Sequence, residues 1–297
     1  MAEKLRIALA GLGTVGAGVI KLLAQNAALI ERRAGRGIEI VAVSARDRAR
    51  DRGVDLSRFE WVDDTASLAA RDDVDAVVEL IGGSDEPALT LARAALSHGK
   101  AFVTANKAML AHHGLELAAA AEAGNTALKY EAAVAGGIPV IKGLREGAAA
   151  NVIDHVYGVL NGTCNYILTT MESEGRDFAE VLSEAQALGY AEADPSFDID
   201  GVDAAHKLAI LSSLAFGTRQ GWTRWNRPLG PASPKPTRRT RKPSAAASAM
   251  SAARTWRMPV IWIASKSTSV PKARLERMAS LCAASTPSMS KLGSASA

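Results

Sequence analysis

The sequence predicts an α/β fold: a parallel sheet covered on both faces, then a smaller, incomplete α+β domain and an irregular basic tail. Three observations carry this expectation. A glycine-rich turn stands between an apolar run and an amphipathic stretch near the amino terminus. Short apolar runs then alternate with longer helical patterns, as expected of strands joined by crossover helices. Both patterns stop after Gly217.

Taken in order, residues 5–10 form an apolar run broken only by Arg6 and read as a buried strand. GLGTVG follows at residues 11–16, and Val15, Val19, Leu22, Leu23 and Ile30 then recur at helical spacing, predicting one long helix. Residues 38–43 and 74–80 read as further buried strands, 86–97 and 107–123 as helices, and 102–104 and 127–130 as short strands. Near-continuous apolar strands belong to a sheet buried on both faces, whose ligands bind outside its carboxyl edge. Residues 151–160 read as a strand and 161–166 as a turn into a helix. A last helix is expected from Asp203, with Ala204, Leu208 and Leu211 as its apolar stripe.

The formal charge of +4 over 297 residues averages two unlike parts. Residues 1–217 hold 20 Lys+Arg against 30 Asp+Glu, whereas residues 218–297 hold 15 against the single acid Glu276. The body is therefore acidic, and the basic average is no sign of a nucleic-acid-binding body. Cys164 and Cys282 are far apart with no metal-ligand spacing, which argues against a disulfide framework and for a reducing compartment. The amino-terminal apolar run is too short for a signal peptide and no stretch approaches a membrane span, so the expected location is cytoplasmic, with no membrane partner.

The glycine motif has the context that gives it meaning. Gly11 allows a tight turn, Gly13 lets a pyrophosphate approach the backbone, and Gly16 lets helix and strand pack closely. The helix start at Thr14 and Val15 supplies amide donors and a partial positive charge for phosphates. The expectation is a Rossmann-type domain binding NADP or NAD. Arg46, with Arg48 and Arg50, follows the second strand and suits a 2′-phosphate, which favours NADP; Asp47 suits a free ribose hydroxyl instead.

Lys107 opens a helix at the rim of that crevice, in TANK at residues 104–107. A cation in a helix's first turn opposes the macrodipole, so an anionic or polarised ligand would account for it; a solvated lysine is the alternative. Downstream, Glu131 precedes a small-residue turn at residues 135–137, which can aim the carbonyls of Val134, Gly136 and Ile138, with the Glu131 carboxylate, at a hard cation; an interdomain hinge would look the same. Cys164 reads as a buried structural thiol, since no histidine lies in a supporting motif. Residues 192–207 hold five carboxylates, among them Glu192, Asp198 and Asp203, and one lysine, Lys207. Asp203 and Lys207 are four apart and share one helix face; the plain reading is a surface ion pair.

GLGTVG, TANKAML, EAAVAGGIPVI, GVLNGTCNYILT and LGYAEADPSFDIDGVDAAHKLAIL, in this order, resemble homoserine dehydrogenase over about residues 5–217. The resemblance implies NAD(P)-dependent interconversion of L-homoserine and L-aspartate 4-semialdehyde, in the aspartate route to threonine, methionine and isoleucine. It implies that Lys207 is the general acid/base, that Asp203 and Glu192, with Asp198 in the same block, hold the substrate, and that Lys107 lies by substrate and nicotinamide. It further implies a monovalent cation such as sodium at the Glu131 turn, and a homodimer through a sheet of the second domain. A related semialdehyde dehydrogenase using Cys164 as nucleophile is a distant alternative.

The expected divisions are a nucleotide-binding domain over residues 1–135, a partial substrate domain over 136–217 and an aberrant tail over 218–297. The tail holds 8 of the 11 prolines and 4 of the 5 tryptophans, and lacks the rest of the substrate domain's sheet. Our hypothesis is a shifted frame of a GC-rich gene, whose off-frame codons favour Arg, Pro, Ala and Ser; one uninterrupted frame on resequencing would remove it. The alternative is a natural basic, disordered tail, against which stand the tryptophans and VIWIA at residues 260–264. With the supporting scaffold in question, an NAD(P)-binding remnant without catalysis is the second functional reading.

Overall fold

The structure is a computed structural model and describes residues 3–217 and 261–265. The rest of the tail, and the expectation of disorder there, lie outside the described residues.

Six parallel strands form the main sheet: β1 (Leu5–Ala10), β2 (Ile38–Ser44), β3 (Glu60–Trp61), β4 (Ala76–Glu79), β5 (Ala101–Thr104) and β6 (Leu128–Lys129). Their order is β3-β2-β1-β4-β5-β6, so the strand order reverses between β1 and β4. That reversal opens the crevice in which doubly wound sheets bind their ligands. The register aligns Ala10 with Ser44 and with Glu79, and Glu79 with Thr104, so these residues share the carboxyl edge. Ala8, Leu9, Ala42, Val43 and Val77 have no exposed surface, as expected of central strands covered on both faces.

Between the strands run α1 (Thr14–Gln25), α2 (Ala27–Ala34), α3 (Ala88–Ser97) and α4 (Lys107–Ala123). The single long helix expected after the glycine turn is two, broken at Asn26, whose φ of −110° and ψ of 16° leave the helical region while its side-chain amide donates to the Leu22 carbonyl. Its buried face is Gly16, Ala17 and Ile20, while Val15 and Leu22 are exposed, which corrects the predicted stripe. Ile20 joins Leu9, Leu12 and Val43 in one core cluster. Each such buried side chain contributes about 1.5–3 kcal/mol relative to exposure.

After β6 come α5 (Val140–Lys142), β7 (Ile153–Gly158), α6 (Gly162–Glu174), α7 (Phe178–Ala187), α8 (Ser196–Ile199) and α9 (Val202–Phe216). Asn161 caps α6 and Asp177 caps α7 through hydrogen bonds to backbone N–H groups three residues on. α6 packs Ile167 against Val181 and Ala185 of α7 and against Ala191 in the loop that follows. One strand of the tail is described: β8 (Ile261–Ser265) pairs antiparallel with β7, Val156 opposite Ile263 and Gly158 opposite Ile261. Its β-branched and aromatic run suits a strand, in contrast to an irregular segment.

The chain divides into two compact units, Met1–Gly147 with Ala205–Arg227 and Ala148–Ala204 with Pro228–Ala297. Among the described residues, no helix is long and apolar enough to cross a membrane.

Candidate active site

The site of the first unit is built on the turn after β1. Gly11 has φ +96°, and a Cβ there would meet the Leu80 backbone at 2.5 Å. A Cβ on Gly16 would meet the Gly11 carbonyl oxygen at 2.1 Å, so both glycines are forced by close backbone packing. Gly13 differs: a Cβ there meets nothing within 4 Å. The space above it belongs to a cleft of about 710 Å³ lined by Gly11, Gly13, Ser44, Arg46, Arg50 and Gly82, among others. A second cleft over the start of α1 is lined by Gly13, Thr14, Lys21 and Arg50. An open glycine, a free helix N-terminus and flanking cations fit a pyrophosphate. Gly16 is buried beneath this turn, and Val15 is exposed at the start of α1.

The basic stretch after β2 has divided tasks. Arg52 donates to the carbonyls of Leu12 and Arg50 at 2.9 and 2.6 Å and to that of Asp47, and its guanidinium lies 5.6 Å from the Trp61 ring centre. Arg48 covers the same ring at 5.7 Å. Asp47 accepts from the N–H groups of Ala49 and Arg50 at 2.9 and 3.2 Å, which ties its carboxylate into the local turn. Arg46, Asp47 and Arg50 all line the main cleft, so both cations and this carboxylate stand where a ribose substituent would lie.

At the opposite side of the switch point lies a buried carboxylate that sequence reasoning missed. Glu79 has no exposed surface; its Oε1 accepts from the N–H groups of Ile81 and Gly82 at 2.7 and 3.1 Å, and its Oε2 from the Thr104 hydroxyl at 2.5 Å. Thr104 Oγ1 in turn accepts from Asn106 N–H at 2.9 Å, and Asn106 Oδ1 caps α4 through Met109 N–H. This chain of bonds fixes the loop that presents Lys107, half-buried at the first position of α4. Asn106 is 6% exposed and its Nδ2 has no protein partner, an orphaned donor that a ligand group would satisfy. The single signal in sequence was one acid, Glu79, inside the apolar run AVVEL.

Glu131 begins a short turn after β6, and its two carboxylate oxygens accept from the N–H groups of Ile141 and Lys142 at 3.2 and 3.0 Å. It thereby caps α5. The turn between them holds Ala135 at φ +52° and Gly137 at φ +91°, and the Ile138 carbonyl accepts from Val140 N–H at 2.7 Å. Val134 is buried, and Gly136 follows it in the turn.

In the second unit, Asn161 connects two of the predicted carboxylates. Its Nδ2 donates to Asp198 Oδ1 at 2.7 Å and to Asp203 Oδ2 at 2.8 Å, and its Oδ1 accepts from Cys164 N–H at 2.8 Å. Asp203 is 3% exposed, which rules out the plain surface-pair reading for this residue. Glu192 is exposed, on a loop whose Glu192 and Ala193 carbonyls accept from Gln186 Nε2. The Cys164 thiol donates to the Asp198 carbonyl at 3.2 Å, and burial first, then the charges of Asp198 and Asp203, push its pKa up. That is the opposite of an activated nucleophile.

Helix α9 carries both Asp203 and Lys207, one turn apart. Its buried face runs through Asp203, His206, Ala209, Ile210 and Leu211, whereas Ala204 and Leu208 of the predicted stripe are half-exposed. His206, also missed in sequence, meets the His112 ring edge-on at 5.5 Å between centroids. Burial and neighbouring His113 lower the His112 pKa, with Asp85 opposing.

Comparison with known proteins agrees with this architecture. The family profile "Homoserine dehydrogenase, NAD binding domain" matches residues 11–131, and the profile "Homoserine dehydrogenase" matches residues 139–228. A Pseudomonas aeruginosa homoserine dehydrogenase is 51% identical over 215 residues, 72% of this chain and 49% of that protein. The chain thus spans about half the length of the curated relatives it matches. The crystal structure of a Thiobacillus denitrificans homoserine dehydrogenase superposes with a TM-score of 0.71 at 47% identity, covering 75% of this chain and 51% of that one. A hyperthermophilic archaeal homoserine dehydrogenase in complex with NADPH has a TM-score of 0.63 at 28% identity, covering 73% and 71%. With both domain profiles matched in tandem and identities near one half, this chain belongs to the homoserine dehydrogenase family.

Proposed function

We propose that this chain is an NAD(P)-dependent homoserine dehydrogenase, interconverting L-homoserine and L-aspartate 4-semialdehyde in the biosynthesis of threonine, methionine and isoleucine. One observation carries the reading: a helix bears a buried carboxylate, Asp203, one turn from Lys207, in a chain whose glycine turn keeps open space above Gly13. In the proposed scheme Gly11, Gly13, Gly16 and the start of α1 at Thr14 and Val15 hold the pyrophosphate. Arg46 meets a 2′-phosphate, a role supported by its place with Arg50 on the lining of the main cleft; NADP is therefore the preferred cofactor.

A bound nicotinamide supplies the hydride acceptor. Lys207 takes the substrate hydroxyl proton in oxidation and returns it in reduction, as general acid/base chemistry at an alcohol requires. Asp203, Asp198 and Glu192 answer the substrate ammonium, and Lys107 serves the polar groups of substrate and nicotinamide. Glu131, with the carbonyls of Val134, Gly136 and Ile138, holds a monovalent cation such as sodium. Each Glu131 oxygen accepts one N–H and retains a further lone pair for such an ion.

The proposed division is a nucleotide-binding domain over residues 1–135 and a substrate domain over 136–217, with 218–297 as a tail of which one strand, β8, pairs with β7. A homodimer and a cytoplasmic location complete the reading. A second reading, an NAD(P)-binding chain without turnover, draws on one fact: the family match ends at residue 228 while the chain continues to 297.

Homoserine-dependent reduction of NADP by the purified full chain tests the proposal, with Lys207→Ala beside it. Turnover in the parent that falls about 10²–10⁴-fold in Lys207→Ala, with cofactor affinity retained, supports the role of Lys207. Equal turnover in a folded Lys207→Ala chain excludes it.

A further inference from the structure

We propose that Asn161 is a positioning residue for the substrate's ammonium, holding the Asp198 and Asp203 carboxylates convergent on a single amide; this rests on the reading above that the two carboxylates answer that ammonium. Two carboxylates brought together repel, and left alone one of them takes up a proton. A protonated partner has lost the charge an ammonium needs. A shared neutral donor gives each carboxylate one N–H and adds no charge of its own.

The geometry is determinate. Cys164 N–H can only donate, so the oxygen of the Asn161 amide must face α6 and the nitrogen must face the carboxylates. The nitrogen has two hydrogens, and both are used, at 2.7 Å to Asp198 and 2.8 Å to Asp203. The carboxylates are five residues apart, and Asn161 is 37 and 42 residues away in sequence. Their convergence is thus a tertiary arrangement and not the accident of one turn. Asn161 is 9% and Asp203 3% exposed, so water does not substitute freely for the bond. The Cys164 thiol donates to the Asp198 carbonyl, and Lys207 follows Asp203 by one turn along α9.

Asn161 also caps α6, so a plain deletion would confuse two roles. Asp and Ser cap a helix as Asn does, but neither offers two N–H donors. Asn161→Asp and Asn161→Ser therefore keep the cap and remove the bridge, and Asn161→Asp adds a third carboxylate. The experiment follows aspartate side-chain carboxyl titration by carbon-13 NMR in the full chain, with signals assigned through Asp198→Asn and Asp203→Asn. Steady-state kinetics with homoserine run alongside.

The expected result is an upward shift of the pair's apparent pKa values in both variants, larger in Asn161→Asp, with thermal midpoints that fall in both and further in Asn161→Asp, measured so that titration and kinetics are read below them. The homoserine KM rises about tenfold or more, and kcat falls less. Carboxyl titrations that coincide with the parent's in both variants overturn the proposal. A parent chain that turns over no homoserine contradicts the functional reading instead, and the titration still decides the role of Asn161.

Discussion

Two glycines of one turn make opposite demands, and that difference can be measured. At Gly11 a side chain meets the Leu80 backbone at 2.5 Å with φ at +96°, so Gly11→Ala is expected to lower the thermal midpoint by several degrees, from strain of about 1–2 kcal/mol plus the collision. At Gly13 a methyl meets no protein atom within 4 Å, so Gly13→Ala should leave the midpoint within about 2 °C while NADP affinity falls about tenfold or more. A melt and a cofactor fluorescence titration on each variant separate the two; undiminished affinity in Gly13→Ala would put the pyrophosphate elsewhere. Cys164 supplies a second test at this scale. Burial and the Asp198 and Asp203 charges raise its pKa, so its thiolate forms only at higher pH than that of free cysteine. In a Cys282→Ser background, iodoacetamide should label native protein more slowly than free cysteine at neutral pH, with the rate rising at higher pH and recovering on denaturation. Labelling at least as fast as free cysteine would revive a nucleophilic role.

At the scale of elements, α9 shows what periodicity can and cannot deliver. The helix is legible because apolar residues recur from Ala204 onward, but its buried face is turned toward Asp203, His206 and Ile210. A buried acid and a buried histidine look polar in sequence; only their partners make them interior. Leu211, 1% exposed, belongs to both the expected and the observed face. Leu211→Ala should cost about 2–5 kcal/mol in denaturant unfolding, whereas a loss under about 0.5 kcal/mol would mean that this face is not packed. Strands were readable for a similar reason: a parallel sheet buried on both faces leaves apolar runs such as residues 38–43. The break between α1 and α2 was not, since Ile30 continues the spacing and a single residue, Asn26, ends the helix after Gln25. The site divides likewise. Glycine turn, Arg46 and Lys107 are local patterns, whereas Glu79 bonds Thr104 across 25 residues and Asn161 bonds Asp203 across 42, distances over which sequence spacing carries no signal.

For the whole molecule, strand order β3-β2-β1-β4-β5-β6 brings Ser44, Glu79 and Thr104 to one edge, and the chemistry-bearing residues of the first unit follow from that topology. The second unit supplies the Asn161–Asp198–Asp203 network, and one described strand of the tail, β8, pairs with β7. Composition alone marked the tail as unlike the body, but the strand at Ile261–Ser265 was foreshadowed only by its run of β-branched and aromatic residues. The family match ends at residue 228, and the chain spans about half the length of its curated relatives, so turnover by this chain is the claim on which the functional account stands. The direct measurement is homoserine-dependent formation of NADPH by the purified full-length chain, with NADP binding measured on the same sample. The account predicts saturable turnover that Lys207→Ala lowers about 10²–10⁴-fold without loss of NADP binding; NADP binding with no homoserine-dependent turnover in the parent would contradict it.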